Sequence, residues 1–230
     1  MHPWLINFRT WGRKIGLSRV IATFRGKRDY EDQFRTAVMA QVKPGDTVWD
    51  IGANVGFYTA LFKDSIGPDG LVVAFEPEPS CYDALTQRFA GCKQVHIEKV
   101  AAGASNGKGE LLIDSSDSTT SQIRSNVNSR AAGKSSVGIN IVTCDSYWKA
   151  SDRTPNVVKI DVEGFEEEVF SGMGELLKSP QLRAVFVEVH FRLLEERGRA
   201  KAPIAIEDGL RRQGYITRWV DWSHLEAIRE

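Results

Sequence analysis

Short apolar runs alternate with amphipathic stretches along most of the chain, and this alternation predicts strands and helices in succession. The apolar runs are rich in β-branched residues and predict five buried strands, at 47–51, 71–77, 94–102, 156–160 and 183–190. Apolar residues at helical spacing predict helices over 29–42, from Phe57, over 79–90, from Phe165 through Leu176 and over 204–213. Two runs at 215–220 and 225–229, joined by a short turn, predict a final hairpin.

This order predicts one α/β domain over 29–230, with a doubly wound, Rossmann-like, mostly parallel sheet and helices on both faces. The alternation lapses at 109–114 and 138–144, where two strand-like runs flank residues 115–136, which are rich in Ser, Asn and Gly. We therefore expect an inserted β-hairpin with a long loop after the third strand. Loops of that length in a compact domain usually serve a function or lack order.

Residues 1–28 form a separate basic, amphipathic helical arm in this interpretation. They carry seven basic side chains and no acidic one: Arg9, Arg13, Lys14, Arg19, Arg25, Lys27 and Arg28. Three roles are open for the arm: packing on the domain or on a second subunit of a homodimer, covering the substrate pocket, or weak contact with an anionic membrane surface. Because the whole chain is formally neutral, residues 29–230 are acidic, which argues against nucleic acid as a partner.

Composition narrows the class of protein further. A length of 230 residues, with 42% hydrophobic and 26% charged residues, is ordinary for a globular domain. Cys81, Cys92 and Cys144 lack the spacing of a zinc site or disulfide framework, which favours a reducing compartment. No apolar run reaches transmembrane length, and arginines interrupt the N-terminal apolar stretch where a signal peptide would be continuous. We therefore expect a cytoplasmic protein.

The stretch 46–59, DTVWDIGANVGFYT, predicts a strand, a glycine turn from Gly52 to Gly56 and a helix, an arrangement that brings backbone N–H groups to a ligand. A dinucleotide fingerprint would place a glycine where Asn54 stands, and the carboxylate of Asp50 would repel a pyrophosphate. It suits a cationic ligand such as S-adenosylmethionine. Glu76 ends the next strand, where a carboxylate accepts hydrogen bonds from ribose hydroxyls. The alternative is that both acids only cap helices or lie in solvent.

Three motifs, DIGANVGFYT, FEPEP and KIDVEGFEEEVFSG, follow in this order, and with them residues 30–215 resemble the FkbM family of S-adenosylmethionine-dependent methyltransferases. The resemblance implies a seven-stranded sheet with an antiparallel last strand. It also implies O-methylation of a sugar, glycolipid or polyketide-type hydroxyl, with S-adenosylhomocysteine as the product. We predict that the cofactor contacts Asp50, Gly52, Asn54, Gly56, Tyr58, Thr59, Glu76, Pro77, Ala101 and Asp161.

Candidate catalytic residues lie at the ends of the fourth and fifth strands, beside the point where the sheet order reverses. Lys159, Asp161 and Glu163 share one side if the strand stays extended, because side chains alternate. Asp161 would contact the methionine part of the cofactor or orient the acceptor. Glu188 and His190 share a side of the fifth strand, and His190 is the expected general base because its ordinary pKa lies near neutrality.

Other interpretations of these residues remain open. Lys159 and Asp161 could only pair with each other, and His190 could be a capping or surface residue. The acids 166–168 are expected to form an exposed first helical turn. We predict no metal site, although Asp161, Glu188 and His190 together offer ligands for a divalent cation.

Two other functions compete with methyl transfer. An NAD-dependent oxidoreductase shares the predicted topology, but Asp50 and Asn54 in the glycine turn disfavour it. A non-catalytic subunit that binds S-adenosylmethionine would carry the same turn. The identity of the small-molecule or glycan acceptor does not follow from the sequence.

Overall fold

The computed structural model describes residues 26–113, 121–124 and 135–229, which form two β-sheets with helices between and around them. The strands are β1 (Thr47–Ile51), β2 (Leu71–Phe75), β3 (Val95–Glu98), β4 (Ala101–Ala102), β5 (Gly107–Ile113), β6 (Ser121–Arg124), β7 (Ser135–Val142), β8 (Val157–Ile160), β9 (Ala184–Glu188), β10 (Ile216–Trp219) and β11 (His224–Ile228). The α-helices are α1 (Gly26–Gln41), α2 (Phe57–Ser65), α3 (Pro79–Arg88), α4 (Cys144–Ser151), α5 (Glu166–Ser171), α6 (Phe191–Glu196) and α7 (Ala202–Arg212).

The larger sheet confirms the predicted doubly wound fold. Its seven strands follow the order β10-β11-β9-β8-β1-β2-β3. The pairs β9–β8, β8–β1, β1–β2 and β2–β3 are parallel, and β11 pairs antiparallel with both β9 and β10. The order reverses between β1 and β8, and ligands of such sheets bind beyond the strand ends at this point.

The central strands are buried on both faces, which explains why their sequences are continuous apolar runs rather than alternating ones. Val48 and Trp49 are both fully buried, yet they belong to different core clusters because neighbouring side chains point to opposite faces. On one face, Phe34 and Val38 of α1 and Phe62 of α2 cover the sheet. On the other face, α4, α5 and α7 contribute to the larger cluster.

The predicted third strand was too long. Only β3 joins the main sheet, and after Lys99 and Val100 the chain enters the second sheet, whose order is β4-β7-β5-β6. The predicted hairpin is confirmed by the antiparallel pair β5–β7. The predicted loop 115–136 is only partly a loop, because β6 lies within it and pairs with β5. The rest of that loop, 114–120 and 125–134, lies outside the described residues.

The predicted helix from Phe165 through Leu176 is interrupted. Its apolar side is buried as expected, but α5 ends at Ser171, and a 3-10 turn, Leu176–Lys178, follows Gly172 and Gly174. Glycine in a helix interior costs about 1 kcal/mol relative to alanine, so two glycines within three residues favour a break. The side chain of Asp145 accepts hydrogen bonds from the backbone N–H groups of Glu175 and Leu176 at this break.

Within the described part of the chain, no helix is both long and apolar enough to cross a membrane. Residues 1–25 of the predicted basic arm lie outside the described residues, and 26–28 form the first turn of α1.

Candidate functional site

A cleft lies beyond the carboxyl ends of β1, β2 and β8, with part of the second sheet as its other wall. The turn after β1 lines it with Gly52 and Asn54, and the segment after β2 lines it with Glu76. Its other polar side contains Asp161 and Glu163, which follow β8. The apolar wall comes from Val100, Ala101, Ala102 and Leu111.

The turn after β1 approaches the end of β8 so closely that only glycine fits. Gly52 has a φ of 79°, in the left-handed region, and a Cβ at this position would overlap the carbonyl oxygen of Asp161. The backbone N–H groups of Gly52 and Ala53 both donate to the carbonyl of Phe75, at 3.0 and 3.1 Å. The turn is therefore fixed to β2 and β8 before any ligand arrives.

Glu76 lies in the cleft with only 6% of its surface exposed. Its carboxylate accepts hydrogen bonds from the backbone N–H of Asn54 at 2.7 Å and of Glu78 at 2.8 Å. Burial raises the pKa of Glu76 to about 7, against the lowering effect of these two hydrogen bonds. Each carboxylate oxygen has a second lone pair, which leaves the group able to accept hydrogen bonds from a ligand.

Asp50 is fully buried and lies under the turn rather than in the cleft lining. Its carboxylate accepts a hydrogen bond from Thr59 at 2.7 Å and lies 3.4 Å from the Nζ of Lys159. The cation that faces Asp50 is thus supplied by the protein itself, and not only by a ligand as the sequence argument assumed. A direct contact between Asp50 and the cofactor stays a prediction.

Lys159 connects Asp50 with Asp161, because its ammonium lies 3.4 Å from a carboxylate oxygen of each. The ring of Tyr58 lies 5.0 Å from the same nitrogen. Burial alone would lower the pKa of Lys159, but Asp161 and Asp50 hold it above its usual value. Lys159 is therefore a buried, charged side chain. The alternative in which it pairs with Asp161 describes one of its two ion pairs, because Asp50 makes the other.

His190 lies among four carboxylates at the start of α6. Its Nδ1 is 2.7 Å from Glu166, and its Nε2 is 3.3 Å from Glu163, 3.7 Å from Asp161 and 3.9 Å from Glu188. Burial would lower the pKa of His190, but these carboxylates raise it to about 10. The sequence argument for a base at His190 relied on a pKa near neutrality, and that reason is wrong for this environment.

Glu163 reaches the site by a different route from the one the sequence suggested. The strand β8 ends at Ile160, so side-chain alternation does not extend to this residue. Instead Glu163 has a φ of 50°, a left-handed conformation that is rare for a residue with a side chain. Burial raises the pKa of Glu163 to about 7, while the charge of His190 lowers it.

The sequence argument missed two residues near Glu188: the buried His224, which contacts it, and Asp221, which contacts His224. His224 lies at the start of β11, and its Nε2 is 3.5 Å from Glu188 while its Nδ1 is 2.6 Å from Asp221. Its ring stacks on Phe34 with 4.0 Å between the ring centroids. Burial would raise the pKa of Glu188, but the hydrogen bond with His224 and the charges of His190, His224 and Lys159 together lower it. Asp221 and His224 are three residues apart, but no spacing in the sequence connects them with Glu188.

The expectation that residues 166–168 form an exposed acidic turn is also wrong. Glu166 is fully buried, and it accepts a hydrogen bond from the backbone N–H of Gly164 as well as contacting His190. Glu168 pairs with Arg197 at 2.5 Å. These acids connect α5 with the segment around α6, and Glu166 fixes the orientation of the His190 ring.

The remaining predicted contacts are divided between the cleft and its support. Pro77 and Ala101 line the cleft, whereas Tyr58, Thr59 and Gly56 lie outside the lining. Thr59 donates its hydrogen bond to Asp50, and the ring of Tyr58 lies beside the ammonium of Lys159. Gly56, with a φ of 83°, immediately precedes α2.

One group of side chains has the spacing of metal ligands, although we predicted no metal. One ligand atom each from Asp161, Glu163 and His190 lies within 4.8 Å of the other two. The set differs from the one considered in the sequence, because Glu163 takes the place of Glu188. The Nε2 of His190 would have to lose its proton before it could bind a cation.

A curated methyltransferase is similar to this chain in sequence. The chain is 29% identical over 167 residues to the hexuronic acid methyltransferase AglP of Haloferax volcanii, which covers 72% of this chain and 64% of that protein. The chain therefore spans less than two thirds of this relative.

Two solved structures share the fold at low sequence identity. The methyltransferase FkbM of Methylobacillus flagellatus matches 80% of this chain and 43% of its own, with a TM-score of 0.52 and 16% identity. A caffeoyl-CoA O-methyltransferase candidate from Staphylococcus aureus matches 99% of this chain and 98% of its own, with a TM-score of 0.51 and 14% identity. The family model described as the methyltransferase FkbM domain matches residues 50–217, more than half of the chain. The chain belongs to the FkbM family of methyltransferases.

Proposed function

We propose that the protein binds S-adenosylmethionine in the cleft and transfers its methyl group to a hydroxyl of a sugar, either in a glycan or in a glycolipid. The observation that carries the proposal is that Glu76 lies in the same cleft as Asp161 and Glu163. In this proposal the carboxylate of Glu76 accepts hydrogen bonds from the ribose, and those of Asp161 and Glu163 face the methyl acceptor.

In the proposed binding mode, polar parts of the cofactor face polar residues of the cleft, and its adenine faces the apolar wall. Glu76 would bind the ribose hydroxyls, and the apolar surface of Ala101 and Leu111 would cover the adenine. The turn from Gly52 to Asn54 would lie along the methionine part, with Asp161 beside it. When bound, S-adenosylmethionine supplies a methyl group that is activated by its sulfonium. The protein then has to align the acceptor oxygen, exclude water and remove a proton.

A sugar fits the site because carboxylates bind neutral hydroxyl donors well. Three carboxylates, those of Asp161, Glu163 and Glu188, lie within 4 Å of the Nε2 of His190. Several hydrogen-bond acceptors are therefore close together. The relative from Haloferax volcanii acts, by its name, on a sugar, which supports the same class of acceptor. A polyketide-type hydroxyl would offer fewer donors to this cluster.

The proposal is tested by binding first and by turnover second. S-adenosylhomocysteine should raise the melting temperature, by several degrees at 100 times its Kd, whereas NAD should leave it unchanged. A radiolabelled methyl group should then appear on one member of a panel of mono- and oligosaccharides, including uronic acids and glycolipids.

Three results would each give a different answer. Stabilisation by NAD alone would favour an oxidoreductase, an alternative that the family membership argues against. Binding of S-adenosylhomocysteine without transfer to any acceptor would indicate the non-catalytic subunit. A methylated carboxylate or amine instead of a hydroxyl would keep the cofactor assignment and overturn the O-methylation of a hydroxyl.

A further inference from the structure

We infer that Glu163, and not His190, takes the proton from the acceptor hydroxyl. The inference rests on the proposed function and assigns one step of it. Glu163 lines the cleft, as does Asp161, whereas His190 and Glu188 are outside its lining. The proton acceptor has to touch the acceptor oxygen, and Glu163 and Asp161 are the two of these residues that line the cleft.

His190 is unsuited to the step because carboxylates occupy both of its ring nitrogens. Nδ1 contacts the buried Glu166 at 2.7 Å, and Nε2 faces Glu163 and Asp161. An imidazolium has no lone pair with which to accept a proton. The raised pKa of His190, about 10, is consistent with this geometry. Its charge instead stabilises whichever neighbouring carboxylate is ionised.

Asp161 is the less suitable of the two cleft carboxylates. It lies 3.4 Å from the ammonium of Lys159, which is 3% exposed and cannot leave. It also lies 3.7 Å from the Nε2 of His190, so two cations favour its ionised form and oppose proton uptake, although burial raises its pKa. Within the described part of the chain, Glu163 pairs with His190 at 3.3 Å and with no lysine or arginine. Glu188 is less suitable on similar grounds, because it faces His224 at 3.5 Å as well as His190 at 3.9 Å, and it is outside the cleft lining.

The ionisation of Glu163 fits a base that operates near neutral pH. Burial raises its pKa to about 7, the charge of His190 lowers it, and Asp161, Glu188 and Glu166 raise it. A carboxylate with an ordinary pKa near 4.3 would be a weaker base for an aliphatic hydroxyl.

The step balances without any further reactant. A lone pair of the acceptor oxygen forms a bond to the methyl carbon, and the electron pair of the carbon–sulfur bond stays on sulfur, which gives the neutral thioether of S-adenosylhomocysteine. The hydroxyl proton passes to a carboxylate oxygen of Glu163 and from there to water. No electron is gained or lost by the protein.

The test compares Glu163→Gln with Glu167→Gln, a neighbouring glutamate that pairs with Arg199 at 3.3 Å and lies outside the cleft lining. We expect Glu163→Gln to lower kcat at least 100-fold and to change the Kd of S-adenosylhomocysteine less than threefold. The control variant should keep kcat within threefold. Circular dichroism and the melting temperature check that both variants fold.

The pH profile of kcat/KM for the acceptor, measured at saturating S-adenosylmethionine so that ionisation of Glu76 does not contribute, separates the two candidate bases. In the wild type we expect a rise with pH through about 7, the pKa of Glu163. Glu163→Gln should abolish that rise. His190→Gln should keep it but move it to higher pH, because the cation that favours the ionised Glu163 is gone. A rise that persists in Glu163→Gln and disappears in His190→Gln would overturn the inference.

A parallel measurement with EDTA and with added Mg²⁺ or Mn²⁺ tests whether Glu163 has a metal-dependent role. Activity that requires the cation, and that more cation restores in Glu163→Gln, would make this residue a ligand instead of a base. Failure of the inference is distinguishable from failure of the proposed function. In the first case the wild type transfers methyl groups and Glu163→Gln does so equally well. In the second case the wild type transfers none.

Discussion

Burial and one or two contacts set the pKa of individual carboxylates in this protein, and Glu76 shows the effect most clearly. Its pKa is raised to about 7 by burial, although two backbone N–H groups favour its anion. Near neutral pH the unliganded protein therefore carries a mixture of protonated and ionised Glu76. A ribose whose hydroxyls donate hydrogen bonds would favour the ionised form.

S-adenosylhomocysteine should consequently bind more tightly as the pH rises from 6 to 8, with release of a proton. Titration calorimetry in buffers of different ionisation enthalpy measures that proton directly. Glu76→Gln should weaken binding about tenfold and remove the pH dependence, while Glu98→Gln, at the end of β3, serves as the control. An unchanged pH dependence in Glu76→Gln would assign the proton to another group.

His224 makes a second residue-scale contribution, to stability. Burial lowers its pKa, but the contacts with Asp221 and Glu188 raise it to about 9, above the unfolded value. The stabilisation is fully present below about pH 6.5 and is lost as the pH rises through 9, and two and a half pKa units correspond to about 3 kcal/mol.

We therefore expect the wild type to lose stability between pH 6.5 and 9, and His224→Gln to show a smaller loss. Urea unfolding at several pH values measures the difference between the two proteins. His96→Gln is the matched control, because His96 lies near the surface and contacts Glu98 alone among the described carboxylates. Parallel pH profiles for the wild type and His224→Gln would contradict the assignment.

The closeness of Asp161, Glu188 and His190 was predictable because parallel strands bring their carboxyl ends to one edge, whereas Glu163 joins them through its left-handed backbone. The positions of Glu166 and His224 were not predictable. Three consecutive glutamates look alike in the sequence, and which one is buried depends on His190, 24 residues later. His224 reaches Glu188 only because β11 returns antiparallel to β9, and register is a tertiary property.

Among the elements, the turn after β1 is the most constrained, and its constraint has two separable parts. Gly52 needs both a left-handed φ and the absence of a Cβ, because of the carbonyl of Asp161. Gly45 has a similar φ, 84°, and nothing within 4 Å of its Cβ position. The two glycines therefore share the left-handed φ and differ in whether a Cβ would clash with a neighbour.

Gly45→Ala should cost about 1–2 kcal/mol of unfolding free energy, the price of a left-handed residue. Gly52→Ala should cost at least about 2 kcal/mol more, because the turn has to move away from β8. Denaturant unfolding of both variants gives the two values. Equal losses would mean that the turn relaxes without strain, and the close contact with Asp161 would then have no energetic weight.

Elements were predicted best where the apolar pattern has clear ends. The strand β1 was predicted at its observed bounds, because Pro44 and Gly45 precede it and Gly52 follows it. The run 94–102 was not divided correctly, because Val100, Ala101 and Ala102 continue its apolar character. The change of sheet at Lys99 depends on β7, a strand about 40 residues further along.

At the scale of the whole molecule, the described residues unite two sheets around one cleft. Leu111 of β5 and Ala101 of β4 form one wall, while the ends of β1, β2 and β8 form the other. The second sheet thus lines the cleft and is not a peripheral insertion. Its strands β5 and β7 were foreseen, but their position over the cleft depends on packing of Ile139, Ile141 and Phe165 that the sequence does not reveal.

The pairing of β1 with β8 also affects the order of events in folding. Thr47 and Asn156 share a hydrogen bond although 109 residues separate them, and the second sheet is made from the chain between them. Contacts of such long range form late, since the loop has to close first. The site exists only after that closure, so S-adenosylhomocysteine should slow unfolding and leave the rate of folding unchanged. Stopped-flow kinetics with and without this ligand measure both rates, and faster folding in its presence would place β1–β8 pairing before the transition state.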